Sequence, residues 1–308
     1  MLALIEEKLL PPLTTLSEVP HLRATRDGLV SLLPLILVGS LFLMLGSIFD
    51  VNTPPAIKNL FGLQVIYDWF TTHATIFIIP YKLTLGLLSI YASFSISYFL
   101  AKTYKVDSVG AGLLSSSAFI LMNIPQKVII NNSNKAEWVL PLGKLGGEGL
   151  FLAILIAFAS AEIYKFTSKH NFELSMPESV PQAVRKAFSA IIPALLMITI
   201  IWTIRHLLKV DINAIIEKIF KPLEVVGDSL IGVLLINLLL HLIWVAGIHG
   251  VSVMNAVFLA MWLKFLELNE KAFSQGLPIP YITAQPFYQW FFVALFNGDD
   301  CKTLLTKS

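Results

Sequence analysis

This 308-residue sequence is short of charge, of cysteine and of the ionisable clusters that soluble enzymes use. Only 14% of its residues are Asp, Glu, Lys or Arg, whereas ordinary soluble domains run to about a quarter. With 56% hydrophobic residues and a mean hydropathy of +0.75, a soluble fold would lack the polar side chains to cover its surface. The net charge is +2 and no Lys/Arg-rich run occurs, which leaves no electrostatic footprint for nucleic acid. The single cysteine, Cys301, sits in a polar terminal stretch. Intrachain disulfides and cysteine-based metal sites are therefore excluded. His241 and His249 stand about two helical turns apart, but no Asp, Glu or Cys lies nearby to complete a metal site. No nucleophile elbow of a serine hydrolase is present, and no cofactor motif. The first twenty residues carry Glu6, Glu7 and Lys8 and lack the basic start and long apolar run of a cleavable signal.

What is present is length of apolar sequence. A membrane-crossing helix needs roughly 20 mostly apolar residues, and five stretches meet or approach this: 29–48, 74–101, 109–124, 150–164 and 187–208. A sixth, 229–246, is Leu-rich but holds His241, and a seventh, 251–268, follows a Gly-Ile-His-Gly break. An eighth, 287–296, is too short to cross. The third and fourth are short as well. The fold expected is an all-α integral membrane protein, a multi-span bundle with amphipathic surface helices and a re-entrant hairpin. One amphipathic segment is 1–16; another is 211–224, where Ile212, Ile215, Ile216, Ile219 and Phe220 recur at helical spacing around Glu217, Lys218 and Lys221.

Lys and Arg in short loops set orientation. With a cytoplasmic N-terminus, the inner segments carry Lys8, Arg23, Arg26, Lys102, Lys105, Lys165, Lys169, Arg185 and Lys186, against Lys58, Lys127, Lys135 and Lys144 outside. The bias favours the N-terminus inside. The expected organisation is a membrane half over 1–208 with five spans, a surface segment over 209–228, a second half over 229–296 and a polar tail over 297–308.

The second half interrupts its apolar runs with Gly, Pro, His, Gln and Asn. Irregular backbone survives at membrane depth only where protein or a watery cavity satisfies its polar groups, so a small polar solute would bind here. In the run His241-Leu-Ile-Trp244-Val-Ala-Gly247-Ile-His249-Gly250, Gly247 and Gly250 suit a helix break that frees backbone for a ligand. Trp244 offers a flat apolar face and one N–H donor, the pairing a sugar ring requires. The competing reading is an interfacial tryptophan beside a histidine satisfied by a backbone carbonyl. In Gly276-Leu-Pro278-Ile-Pro280-Tyr281-Ile-Thr283-Ala-Gln285-Pro286, three prolines forbid a continuous helix. A hairpin tip there would present Thr283 and Gln285 to a solute; a simple loop is the alternative. Gly146-Gly147-Glu148-Gly149 reads chiefly as close packing before a span.

In this order the motifs resemble a known family. The stretch His21-Leu-Arg23-Ala-Thr-Arg26-Asp27-Gly28 ahead of Pro34 and Gly39-Ser40, the Gly146–Phe151 run, the Trp244–Gly250 run and Ile282-Thr283-Ala-Gln285-Pro286-Phe287 are similar to sugar permeases of the phosphotransferase system. The match is to the enzyme II C component of the lactose, cellobiose and diacetylchitobiose family, over essentially residues 1–296. The resemblance implies a multi-pass protein of the bacterial plasma membrane, a homodimer joined through its first half, with a disaccharide held in its second. It implies a partner B component whose phosphocysteine donates phosphate to the sugar, supplied in turn by an A component, so no phosphoryl donor lies on this chain. It places His249 at the sugar in the reacting role. The substrate-binding candidates on the two runs are His241, Trp244, Gly250, Thr283 and Gln285. The family continues beyond this point to an Asn-Glu-Pro motif whose glutamate holds the reacting hydroxyl. Here the sequence passes instead into Asn297-Gly298-Asp299-Asp300-Cys301 and stops, which reads as a frameshifted or truncated end with an incomplete transport half. The alternatives are an ion-coupled secondary transporter, disfavoured by the near-absence of acids within the spans, and a membrane remnant that transports nothing.

Overall fold

The computed structural model describes residues 19–48, 64–123, 126–129, 136–172, 177, 179–245 and 250–288. The order of its helices is α1 (Pro20–Val30), α2 (Leu33–Ile48), α3 (Gln64–Thr84), α4 (Leu88–Thr103), α5 (Ser108–Asn123), α6 (Leu150–Lys169), α7 (Gln182–Ser189), α8 (Ile191–Trp202), α9 (Ile212–Gly227), α10 (Leu230–Val245), α11 (Gly250–Ser274) and a single turn, α12 (Gln285–Phe287). Among the described residues, four helical stretches are long and apolar enough to cross a bilayer: Pro20–Leu43, Ile76–Thr103, Gly147–Lys169 and Val184–Leu207. Helices α9 and α10 meet at an 81° bend and pass the same test only as a pair.

The expected spans correspond closely to these elements. Apolar side chains at Leu37, Ile76, Leu195 and Leu238 remain more than half exposed, a surface that lipid covers and water would not tolerate in such quantity. The stretch expected over 109–124 is α5, only 16 residues long. At 1.5 Å rise per residue it falls short of a ~30 Å hydrocarbon layer unless the bilayer thins or the flanks extend it. The amphipathic segment expected over 211–224 is the helix α9, with Asp211 at its N-cap accepting a hydrogen bond from the Ala214 N–H at 3.3 Å. The all-helical expectation omits one feature, a small antiparallel hairpin of β1 (Gln126–Ile129) and β2 (Ala136–Val139) between α5 and α6.

Helices α1, α4, α5 and α6 form the core of the first half, and small residues decide how closely they pack. A Cβ on Gly28 would stand 2.9 Å from the backbone of Ile96, so α1 lies directly on α4. Serine hydroxyls fill the remaining seams. Ser97 and Ser160 both donate to the Ala111 carbonyl, at 3.0 and 2.9 Å, and Ser31 and Ser95 share a 2.6 Å bond. Lipid offers apolar side chains as much as protein does, so helices in a membrane associate by close backbone approach and interhelical hydrogen bonds. Pro80 lies inside α3 and cannot donate to the preceding turn. Thr84 donates back to the Pro80 carbonyl at 2.8 Å, and the helix passes into a 3₁₀ turn over Leu85–Leu87.

The glycine run before α6 is a crossing point. Glu148 N–H donates to Glu267 of α11 at 3.2 Å, and a Cβ on Gly147 would stand 2.6 Å from the same carboxylate and 3.0 Å from the Lys264 backbone. Gly146 leaves no room for a Cβ either. The second half is thereby seated on the first, and packing accounts for the motif. Ser40 on α2 adds a 2.8 Å donation to Glu270. Deeper in α11, Lys264 pairs with Glu224 of α9 at 2.6 Å with both side chains 8% exposed, so the charges are matched where burial would otherwise be prohibitive.

Candidate functional site

The geometry around the second half starts at the elbow between α9 and α10. Asp228 stands at the C-cap of α9, its N–H donating to Glu224 O at 3.0 Å. One of its carboxylate oxygens accepts from Ile282 N–H at 3.0 Å, Thr283 N–H at 2.9 Å and the Thr283 hydroxyl at 2.8 Å. The hydroxyl also lies 3.2 Å from Gly227 O. Four residues earlier in α9 than Asp228 is Glu224, the partner of Lys264. Asn269 of α11 accepts from the N–H of Tyr281, one residue before Ile282, at 3.0 Å and donates to its carbonyl at 2.6 Å. The three prolines deny this segment a helix, so side chains from two helices satisfy its backbone instead. Gly276 has φ 67° at the turn that starts it, a conformation that favours glycine.

The clamped segment delivers α12 to the end of a cavity of about 190 Å³. From α2 the cavity takes Leu33; from α10, Ile236 and Leu240; from α11, Val251, Met254, Asn255, Leu259 and Trp262; from the α12 turn, Gln285 and Tyr288. Residues 251, 255, 259 and 262 follow helical spacing and form one stripe. Residues 285 and 288, one turn apart, do the same. The indole of Trp262 stacks on the phenol of Tyr288, centroids 4.2 Å apart and planes 23° apart. Trp262 is buried, and its indole N–H finds no hydrogen-bond partner among the described residues. Flat apolar rings beside amides and O–H or N–H donors are the chemistry that holds a small polyhydroxylated ring.

The residues singled out in the sequence fall around this cavity unequally. Gln285 lines it. Gly250 is the buried first residue of α11, one position before the lining Val251. His241 neighbours the lining Leu240, and its Nδ1 donates to Asn237 O at 2.7 Å, which fixes the imidazole by its own helix. Thr283 is buried, with its hydroxyl turned to Asp228 rather than to the cavity. Trp244 belongs to α10, but its side chain, like the whole of His249, lies outside the described residues. Asn255, Trp262, Tyr288 and Asp228 were not anticipated. Asn255 had a signal, the lone amide in an apolar helical stripe. Asp228 had none, because its partners lie 54 and 55 residues away.

Comparison with known proteins places the chain. Residues 26–296 match the family described as "Phosphotransferase system, EIIC". The putative permease IIC component YwbA of Bacillus subtilis (strain 168) is 32% identical over 98% of this chain and 68% of its own length. The cellobiose-specific EIIC component of the phosphotransferase system of Geobacillus stearothermophilus is 30% identical over 94% of this chain and 65% of its own. Among solved structures, the transporter ChbC, the IIC component from the N,N'-diacetylchitobiose-specific phosphotransferase system, superposes with a TM-score of 0.80 at 31% identity, covering 92% of this chain and 66% of that one. The chain therefore spans about two thirds of the length of these relatives. By that family match and those identities, this multi-pass membrane chain belongs to the EIIC family of the phosphotransferase system, in its lactose and cellobiose branch.

Proposed function

We propose that this chain binds a disaccharide of the cellobiose, diacetylchitobiose or lactose type in the cavity between α10, α11 and α12, and presents it for phosphorylation by a B component. The observation that carries the reading is the convergence of two sequence-distant stretches, 236–262 and 285–288, on one cavity bearing a stacked indole and phenol and two amides. Relatives named for cellobiose and for diacetylchitobiose support the substrate class. In this reading His249, which directly precedes α11, reaches the sugar. The phosphorus–sulfur bond on the B component's cysteine breaks, a phosphorus–oxygen bond to the sugar hydroxyl forms, and the hydroxyl proton is released. An imidazole at that point orients the hydroxyl or steadies the transferring phosphoryl. His241, Trp244 and Gly250 take part in binding the sugar, Gln285 contacts the solute, and Thr283 holds the Gln285 segment through Asp228. Residues 1–208 make the homodimer contact, 229–296 hold the sugar, and the N-terminus faces the cytoplasm, in keeping with the Lys/Arg bias of the loops.

The test is equilibrium binding of labelled cellobiose to the purified chain and to His249→Ala, with oligomeric state measured beside it. The expected result is loss of sugar binding with dimerisation intact. Unchanged affinity removes His249 from the site, and absence of binding by the unaltered chain removes the substrate class.

A further inference from the structure

A second cavity, of about 240 Å³, opens between α9, the turn before α6, and α11. Its lining holds three lysines and three glutamates, Lys144, Lys221 and Lys264 with Glu148, Glu217 and Glu224. Two aromatic rings also line it, Phe151 and Tyr281, and each is braced by a ring that does not. Phe151 stacks on Phe220 at 4.0 Å and 13°, and Tyr281 on Phe265 at 4.2 Å and 9°. Asn213 adds an amide, whose Nδ2 donates to Asn123 Oδ1 at 3.2 Å.

We infer that this cavity is a second saccharide site, taking a neutral polyhydroxylated unit of the same class as the first; the inference rests on the function proposed above. Lys264 and Glu224 are matched to one another at 2.6 Å, and Glu148 is matched at 3.1 Å to Lys271 outside the lining, which leaves Lys144, Lys221 and Glu217 to meet a ligand. A hydroxyl serves both kinds of group, donating to a carboxylate and accepting from an ammonium, and such charge-assisted bonds are the stronger ones. The braced rings offer apolar faces already fixed in place. The segment 281–288 borders both cavities. Tyr281 lines the second, Gln285 and Tyr288 line the first, and Asp228 clamps the residues between them. A sugar in the second cavity is thus one short, clamped segment away from the first, a staging position. A lipid headgroup is the competing occupant, since the exposed apolar Val225 of α9 lines the cavity.

The experiment is calorimetric titration of the full chain in lipid nanodiscs with cellobiose. Two equivalents per chain are expected. Glu217→Gln combined with Phe151→Leu should weaken one of them about tenfold, as should Lys221→Met, an exposed position whose change leaves the core intact. Asn255→Ala should weaken the other. A single equivalent, sensitive to Asn255→Ala and indifferent to the α9 variants, overturns this inference and leaves the first site standing. No binding at all overturns both. Native mass spectrometry that finds phosphatidylethanolamine retained by the unaltered chain and lost with Lys221→Met, beside one sugar equivalent, assigns the cavity to lipid and overturns it too.

Discussion

At the scale of single residues, the second half is organised by buried polar groups whose partners come from far along the chain. Lys264 and Glu224 neutralise one another between α11 and α9. Removing one partner leaves an uncompensated buried charge, so Lys264→Met should destabilise the protein by about 3–5 kcal/mol. The double change Lys264→Met with Glu224→Leu should recover most of it. Thermal unfolding in detergent checks this; equal losses from the single and double variants would show that the pair is not coupled. The Trp262 N–H is buried without a partner among the described residues, on a side chain whose residue lines the candidate cavity. If a sugar oxygen accepts it, Trp262→Leu should lose ring and donor together, and a one-nitrogen change to an indole-like analogue without the N–H should weaken cellobiose binding by about three- to tenfold, the worth of one hydrogen bond. Equal affinity for the analogue-bearing protein would confine Trp262 to packing.

At the scale of elements, the 81° elbow and the strand-like return of 277–284 depend on Asp228. Asp228→Ala strips the Ile282 and Thr283 amides of their acceptor. It should speed hydrogen exchange over 281–288 and weaken sugar binding by about tenfold or more, whereas Asp228→Asn keeps the Oδ1 acceptor and should behave close to the original. Exchange rates unaltered by Asp228→Ala would mean that the segment is held elsewhere. The glycine crossing makes a separate prediction. Gly147→Ala drives a methyl against Glu267 and the Lys264 backbone and should lower stability by about 1–3 kcal/mol; a Tm within a degree of the original would mean the crossing yields freely.

These elements also show how much could be read beforehand. The spans were legible because lipid demands long apolar runs whatever the neighbours are. The amphipathic helix α9 was legible from the spacing of Ile212, Ile215, Ile216 and Ile219, and Gln285 from the proline-rich run that contains it. The elbow was not, since nothing local distinguishes Asp228 from any helix-ending aspartate. The β1–β2 hairpin escaped because four-residue strands around a polar turn carry little periodic signal. Trp262 and Tyr288 lie in apolar runs where an aromatic is the expected filler, and only their meeting across 26 positions gives them another role.

At the scale of the whole molecule, a serine- and glycine-seamed first half carries a second half made of bent and broken helices. The two are joined where α11 sets Glu267 and Glu270 against the glycine run and Ser40. Irregular, cavity-lining backbone carried on closely packed helices suits the proposed binding of a polar solute. The most direct measurement of that arrangement is protection of a thiol in the cavity wall. Cys301 is the chain's only cysteine, so Met254→Cys in a Cys301→Ser background carries one thiol, at a lining position. Saturating cellobiose should slow its alkylation about tenfold or more, and an unrelated sugar alcohol should not. A labelling rate that cellobiose leaves unchanged, in protein that still binds it, would mean that the sugar sits somewhere other than between α10, α11 and α12.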